Sequence, residues 1–338
     1  MKVLVTGGTG FIGSHTIVEL LERNYEVVCV DNLCNSKKSV IERIKRITNK
    51  DFSFYECDLR DCDKLTRIFE KEKIDCIIHF AALKSGADSI KNPGLYYDNN
   101  MQSTFNLVTL MEKFGVDKIV FSSSATVYGN CKNVPIKETE PIGNVISPYG
   151  MTKYLNELYL MNRASETKKF KAIAFRYFNP IGAHPSGLIG EDSPDDIPNN
   201  LMLYLLKVAN RELPHLNIFG NDYNTKDGSG VRDFIHVVDL AIGHISAINY
   251  FDKMSDNYFE VFNLGTGQGH TVLELVKTFE SVNDVIIPCK IVGRRPGDVE
   301  ISFASVEKAN SLLNWKAKFS LADCLIDAWR FKKQQKQQ

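Results

Sequence analysis

The chain has 338 residues, 43% of them hydrophobic and 24% charged, an ordinary globular composition with length enough for one large or two medium cores. Forty-one basic residues balance 41 acidic ones, so no global field draws the protein toward nucleic acid or an anionic membrane, and a phosphate ligand must be met locally. The eight cysteines show no C-x-x-C pair and no metal spacing, no apolar run reaches 18 residues, and the chain opens without an apolar leader; a cytoplasmic protein with reduced, mostly buried thiols and no metal centre is expected.

Val3-Leu4-Val5 is a short apolar run of the kind that makes a buried parallel strand, and it stops at Gly7-Gly8-Thr9-Gly10-Phe11-Ile12-Gly13. Ile12, Thr16, Val18, Leu20 and Leu21 then read as a helix. Glycines at 7, 10 and 13 permit a tight turn and let a pyrophosphate approach a helix N-terminus, whose free N–H groups favour negative charge. A second apolar run, Val27–Val30, ends at Asp31, 18 residues past Gly13. A carboxylate there accepts hydrogen bonds from an adenosine ribose and repels a 2′-phosphate, which favours NAD over NADP.

The alternation continues through a strand at Phe52–Cys57, a helix near Lys64–Lys71 and a strand at Cys76–Phe80. Asp58, at a strand end, suits either the adenosine or the N-cap of the following helix, and His79 reads as a core histidine. Met101–Phe114 carries too many apolar positions for one stripe, so it is either covered on two sides or faces a second subunit. A strand at Ile119–Phe121 runs into Ser122-Ser123-Ser124, whose hydroxyls lie at a carboxyl strand end and suit a substrate alcohol or ketone. At Tyr149 and Lys153, spaced to share one helical face, an ammonium beside a phenol stabilises the phenolate for proton transfer.

Together the glycine turn, Asp31-Asn32-Leu33, Phe80-Ala81-Ala82-Leu83-Lys84, Ser122–Gly129 and Tyr149–Lys153 resemble the extended short-chain dehydrogenase/reductase family, and within it the nucleotide-sugar epimerases. The resemblance reaches both ends of the chain, through Arg176–Ala183, Phe219–Val237 and Gly293–Asp298. It implies an α/β fold: a Rossmann-type doubly wound parallel sheet in residues 1–178, rejoined by 235–264, with a smaller mixed α/β substrate-binding lobe in 179–338. It implies NAD at Gly7, Gly10, Phe11, Ile12, Gly13, Asp31, Asn32, Asn35, Ser36, Asp58, Leu59, Phe80, Ala81, Lys84, Asn99, Tyr149, Lys153 and Phe178. A UDP-sugar is expected at Lys84, Ser124, Tyr149, Asn179, Asn200, Leu201, Asn217, Phe219, Arg232, Arg295, Asp298 and Ser302, with the two arginines on the diphosphate and Asp298 at a hydroxyl.

The implied reaction is reversible inversion at C4 of UDP-galactose and UDP-glucose through a 4-keto sugar. Tyr149 would exchange the proton, Ser124 would share the same oxygen, and Lys153 would hold the nicotinamide ribose and keep the tyrosine acidic. A homodimer through helices at Met101–Phe114 and Tyr154–Met161 is also implied. Ser302 departs from the bacterial pattern, which commonly has a tyrosine four residues beyond the aspartate; the lost ring leaves room for N-acetylated hexosamines. A nucleotide-sugar 4,6-dehydratase would need an acid pair beside the active-site hydroxyl, and Ser123-Ser124-Ala125 offers none. A non-catalytic NAD-binding sensor would have no reason to keep Ser124, Tyr149 and Lys153 together. From Gly187 to Pro198 glycine, proline and acid density rises, with a helix opening at Pro198–Met202, and the tail Lys332–Gln338 reads as frayed.

Overall fold

The computed structural model describes residues 1–335 except 144, 146, 168, 193–197, 199 and 296. The acidic stretch at 194–196, Asn199 of the helix-opening motif, Pro296 and the tail from 336 lie outside the described residues. The first half runs β1 (Lys2–Thr6), α1 (Phe11–Glu22), β2 (Glu26–Asp31), α2 (Ser39–Thr48), β3 (Ser53–Glu56), α3 (Cys62–Lys71), β4 (Cys76–His79), α4 (Gly86–Lys91), α5 (Pro93–Phe114), β5 (Lys118–Ser124), α6 (Pro148–Glu166) and β6 (Lys171–Tyr177). Then come β7 (Asn179–Ile181), α7 (Leu201–Ala209), β8 (Leu216–Phe219), β9 (Val231–Arg232), β10 (Phe234–His236), α8 (Val237–Tyr250) and β11 (Tyr258–Leu264). The chain closes with β12 (His270–Thr271), α9 (Val272–Asn283), β13 (Cys289–Val292), β14 (Ile301–Ser302), α10 (Glu307–Leu312) and α11 (Leu321–Gln335).

Seven strands form one parallel sheet in the order β11-β6-β5-β4-β1-β2-β3, the doubly wound arrangement expected from the strand and helix alternation. Its strands are apolar on both faces because both are covered: Val3 and Val5 join Ile17, Leu20, Ile245 and Phe262 in one core, while Leu4 faces Leu65, Leu107 and Leu160 in the other. The order reverses between β1 and β4, which opens the crevice at their carboxyl ends where such sheets bind ligands. The remaining strands make three small sheets, β10-β7, β12-β9-β14 and β13-β8, and α7, α9 and α11 bury a third core around Leu205, Leu275, Phe279 and Leu325.

Two sequence expectations change here. The helix expected from Met101 starts at Pro93, whose fixed φ and missing N–H suit a first turn; it ends at Gly115, in the left-handed region at φ 73°. Its first turns bury Tyr96 and Asn100 but expose Leu95 and Tyr97, too weak an apolar stripe for a sequence reading to find them. The thiols are not mostly buried: all eight are free, but Cys34, Cys62 and Cys289 are exposed and Cys131 is intermediate, because they lie outside the apolar runs that hold Cys29 and Cys76. Among the described residues no helix is long and apolar enough to cross a membrane.

Candidate active site

The glycine turn is built by close approach. Gly7 has φ 66°, and a Cβ on it would lie 2.8 Å from the Ala81 amide nitrogen; one on Gly13 would lie 2.3 Å from the Gly7 carbonyl oxygen. Gly10 then caps α1, so the amides of Phe11, Ile12 and Gly13 have no partner within the helix. Asp31 ends β2 beside this turn and is almost fully buried. It accepts from the Thr9 amide at 3.1 Å, the Leu33 amide at 2.9 Å and the Ser36 hydroxyl at 3.3 Å, which binds the loop after β2 to the turn after β1. A cradle that any side chain would fill, at a helix start beside a fixed carboxylate, fits an NAD dinucleotide. Ala81 contributes its amide to Thr6 Oγ1, and the Phe80 ring lies 4.8 Å from that of His244.

Asp58 accepts from Asn32 Nδ2 at 3.2 Å and pairs with Arg60, whose bonds hold its carboxyl down to about 2. It does not cap α3: Asp61 does, accepting from the Lys64 amide, because the helix begins at Cys62. Leu59 turns its side chain into the core and gives its carbonyl to Asn106, Asn35 is exposed in the loop after β2, and Asn99 is half-buried on α5.

At the end of β5, Ser124 stands opposite Tyr177 in register and caps a short 3-10 helix, accepting from the Thr126 amide at 3.2 Å and the Thr126 hydroxyl at 2.9 Å. Ser147 caps α6 and Pro148 occupies its first turn, which places Tyr149 and Lys153 one turn apart. Lys153 is buried and donates to the Ser122 carbonyl at 2.7 Å, with its Nζ 5.8 Å from the Tyr149 ring centroid. The pair does not produce an acidic phenol from the protein's own charges. Burial pushes Tyr149 up to about 12, only partly offset by the Ser124 hydroxyl, and burial pulls Lys153 down to about 7 against the charge of Glu157. Both ionised forms are disfavoured by the same desolvation.

Three supports were not singled out from the sequence. Glu157 follows Lys153 by one further turn and makes a buried two-pronged pair with Arg176, also accepting from the Ser123 hydroxyl; the i,i+4 spacing from Lys153 was its signal. Asn100 accepts from the Leu83 amide at 2.9 Å and donates to the Leu83 carbonyl at 3.1 Å and Thr152 Oγ1 at 3.0 Å, clamping the loop after β4 to α6. Tyr177 meets His244 Nε2 at 2.6 Å, while His244 Nδ1 bonds the Leu240 carbonyl, so the imidazole donates through Nδ1 and the Tyr177 hydroxyl donates to Nε2. His79 is the core histidine expected: it lies between Thr6 and Thr104, and burial pulls it down to about 3.

Across the crevice, Phe178 is buried against the Val127 and Tyr128 cluster, and Asn179 is tied by its amide to the Asp233 carbonyl. Asp233 is fully buried and holds the Thr266, Gly267 and Ala304 amides, fixing the turns around Arg232. Arg232 has its Nη2 4.0 Å from Asp298, and Arg295 donates to the same carboxylate at 2.8 and 3.2 Å. Asp298, expected at a hydroxyl, is thus an anion shared by both arginines, with Arg295 also lying 5.5 Å from the Phe219 ring centroid. Ser302 is the register partner of Arg232 in the small sheet, and Asn217 is half-buried in β8. Asn200 caps α7 ahead of half-buried Leu201 and donates to Glu191, which accepts from Lys84 at 2.8 Å.

Residues 4–327 match the family model described as GDP-mannose 4,6 dehydratase. The chain is 48% identical over 333 residues to the UDP-glucose 4-epimerase of Pasteurella multocida, covering 98% of each. It superposes on the Stenotrophomonas maltophila UDP-glucose-4-epimerase, solved with bound NAD and formylated UDP-arabinopyranose, with a TM-score of 0.96 at 45% identity over 100% of this chain and 99% of that one. The Bifidobacterium longum UDP-glucose 4-epimerase, in complex with NAD+ and UDP, gives 0.94 at 44% identity, covering 99% and 98%. The chain belongs to the UDP-glucose 4-epimerase family of the extended short-chain dehydrogenases/reductases.

Proposed function

We infer that this protein interconverts UDP-glucose and UDP-galactose by oxidising C4 of the hexose and reducing it again from the other face, with NAD as its resident cofactor. What carries the reading is the convergence of Ser124, Tyr149 and Lys153 at the carboxyl end of a sheet whose glycine turn and Asp31 are shaped for a dinucleotide. When bound, NAD takes the hydride from C4 and returns it, and its positive ring adds to the charge of Lys153 beside Tyr149.

In this reading Tyr149 takes the proton from the 4′-hydroxyl and gives it back after the keto sugar has turned, serving as base and then as acid. Ser124 bonds the same oxygen, and Lys153 holds the ribose while its ammonium favours the phenolate. Arg232 and Arg295 grip the diphosphate through fork-like hydrogen bonds, leaving the hexose free to rotate. A dehydratase is disfavoured because the residues after Ser124 are Ala125 and Thr126, with no carboxylic acid to drive loss of water.

Ser302 beside Arg232 leaves room for an N-acetyl group, so N-acetylated UDP-hexosamines are substrates too. The chain forms a homodimer through α5 and α6, supported by exposed Leu95, Tyr97 and Met161; a light-scattering mass of one chain would refute it. It works in the cytoplasm, where eight free cysteines, three of them exposed, would remain reduced. The decisive assay measures NAD in the purified protein together with UDP-galactose to UDP-glucose conversion; bound NAD without conversion would leave only the sensor reading.

A further inference from the structure

Glu191 and Asp192 are the two consecutive residues at which the second lobe takes hold of the nucleotide-binding sheet. Glu191 uses both carboxylate oxygens, accepting from Lys84 Nζ at 2.8 Å and from Asn200 Nδ2 at 2.9 Å, and its side chain is only 9% exposed. Asp192 accepts from Lys37 Nζ at 2.7 Å in a more open pair. The two lysines come from different lips of the crevice: Lys37 follows β2 and Lys84 follows β4, while the glycine turn follows β1, which lies between those strands. The two ion pairs therefore stand on either side of the turn that receives the pyrophosphate.

The segment that carries the acids is anchored behind them. Ala183 and Gly190 form an antiparallel bridge, the His184 amide donates to the Ile189 carbonyl at 3.0 Å, and Gly190 sits so close to Phe331 that a Cβ would lie 2.4 Å from its ring. Ahead of them, Asn200 is fixed as the cap of α7. The Glu191 carboxylate, nearly buried and with one oxygen on each lobe, is a tie between them, while the Lys84 side chain that meets it is 61% exposed. An ammonium has three donors, so Lys84 keeps two after bonding Glu191.

We propose that Glu191 and Asp192 form a strap of two cross-lobe ion pairs that retains the dinucleotide in its crevice while sugars exchange. The inference rests on the reading that NAD is resident; a reaction that oxidises and reduces at the same carbon needs the cofactor kept. Glu191 and Asp192 are positioning residues, acting through Lys84 and Lys37.

The test loads the full-length chain with a fluorescent etheno analogue of NAD and follows its release into excess NAD. Release from the Glu191→Gln, Asp192→Asn double variant is expected on the order of tenfold faster than from wild type, an effect assigned to the dissociation step. High salt should accelerate release from wild type more than from the variant. Circular dichroism and thermal melting without nucleotide confirm that the variant is folded, and the charge-exchanged pair Lys37→Asp with Asp192→Lys should slow release again relative to Lys37→Asp alone. Equal release rates, or release from both proteins with the same salt response, overturn the strap. A folded wild type that carries no NAD on purification and takes up no analogue overturns the resident-NAD reading itself.

Discussion

Glu157 and Arg176 lock together under the candidate catalytic groups, Nε to Oε1 at 3.0 Å and Nη2 to Oε2 at 2.6 Å, with side chains 4% and 6% exposed. The Ser123 hydroxyl donates to the same carboxylate, and the Arg176 guanidinium lies 4.7 Å from the Tyr128 ring centroid. One pair thereby joins α6, β5 and β6 directly behind Lys153 and Ser124. A buried ion pair contributes little beyond an apolar replacement, yet removing one partner strands the other. Glu157→Ala should lower unfolding free energy by about 3–5 kcal/mol in urea titration. An unchanged midpoint would show that Arg176 finds another partner or reaches water.

Tyr149→Phe removes the exchangeable proton and keeps the ring. Turnover of UDP-galactose should fall about 10²–10⁴-fold, the range for loss of a positioned acid or base, while NAD content and UDP binding stay near wild type. Matched kinetics with full NAD content would remove Tyr149 from the reaction.

Lys153 yields a stability prediction with a definite sign. Burial lowers its folded pKa to about 7 from an ordinary value of 10.5, so between those limits the unfolded chain holds a proton that the folded chain has released. Stability attributable to this group therefore rises with pH through that window, and the penalty for burying the charged amine is fully present below about 7. Lys153→Met removes the titration. The stability difference, wild type minus variant, should grow from pH 7 to pH 9 in paired urea titrations of the NAD-free proteins; a flat difference would mean that the ammonium is solvated in the fold.

What was legible in the sequence is what backbone geometry and strand chemistry demand locally. Gly7 and Gly13 are required by approaches of 2.8 and 2.3 Å, and Asp31 closes an apolar run that becomes β2, so the turn and its acid stand out without any distant contact. The start of α5 did not, because its first turns bury Tyr96 but expose Leu95 and Tyr97. Asp58 and Asp61 both offered a cap, and only the helix start at Cys62 decides between them. The pairing of Asp298 with both arginines was not legible, because nothing local says that Arg232, 66 positions earlier, reaches the same carboxylate as Arg295. Glu191 was invisible for the same reason, since its partner Lys84 lies 107 positions away.

Ser302 carries the specificity prediction. It is half-buried in β14, in register with Arg232 in β9, and its carbonyl accepts from the Asp233 amide at 3.1 Å, so its position beside Arg232 is set by backbone pairing and survives a change of side chain. Ser302→Tyr places a ring in the space that the hydroxymethyl leaves open. Wild type should interconvert UDP-N-acetylglucosamine and UDP-N-acetylgalactosamine, and the variant should lose about 10–200-fold in kcat/KM for that pair, the discrimination that a shape change in a pocket supports. Turnover of UDP-glucose should stay within a few-fold, because its 2-hydroxyl needs less room than an acetamide. Paired kinetics with both sugars on each protein separate a narrowed pocket from a damaged one. A variant that loses both substrates together points to a displaced Arg232, and a wild type that rejects the acetylated sugar shows that another group closes the pocket.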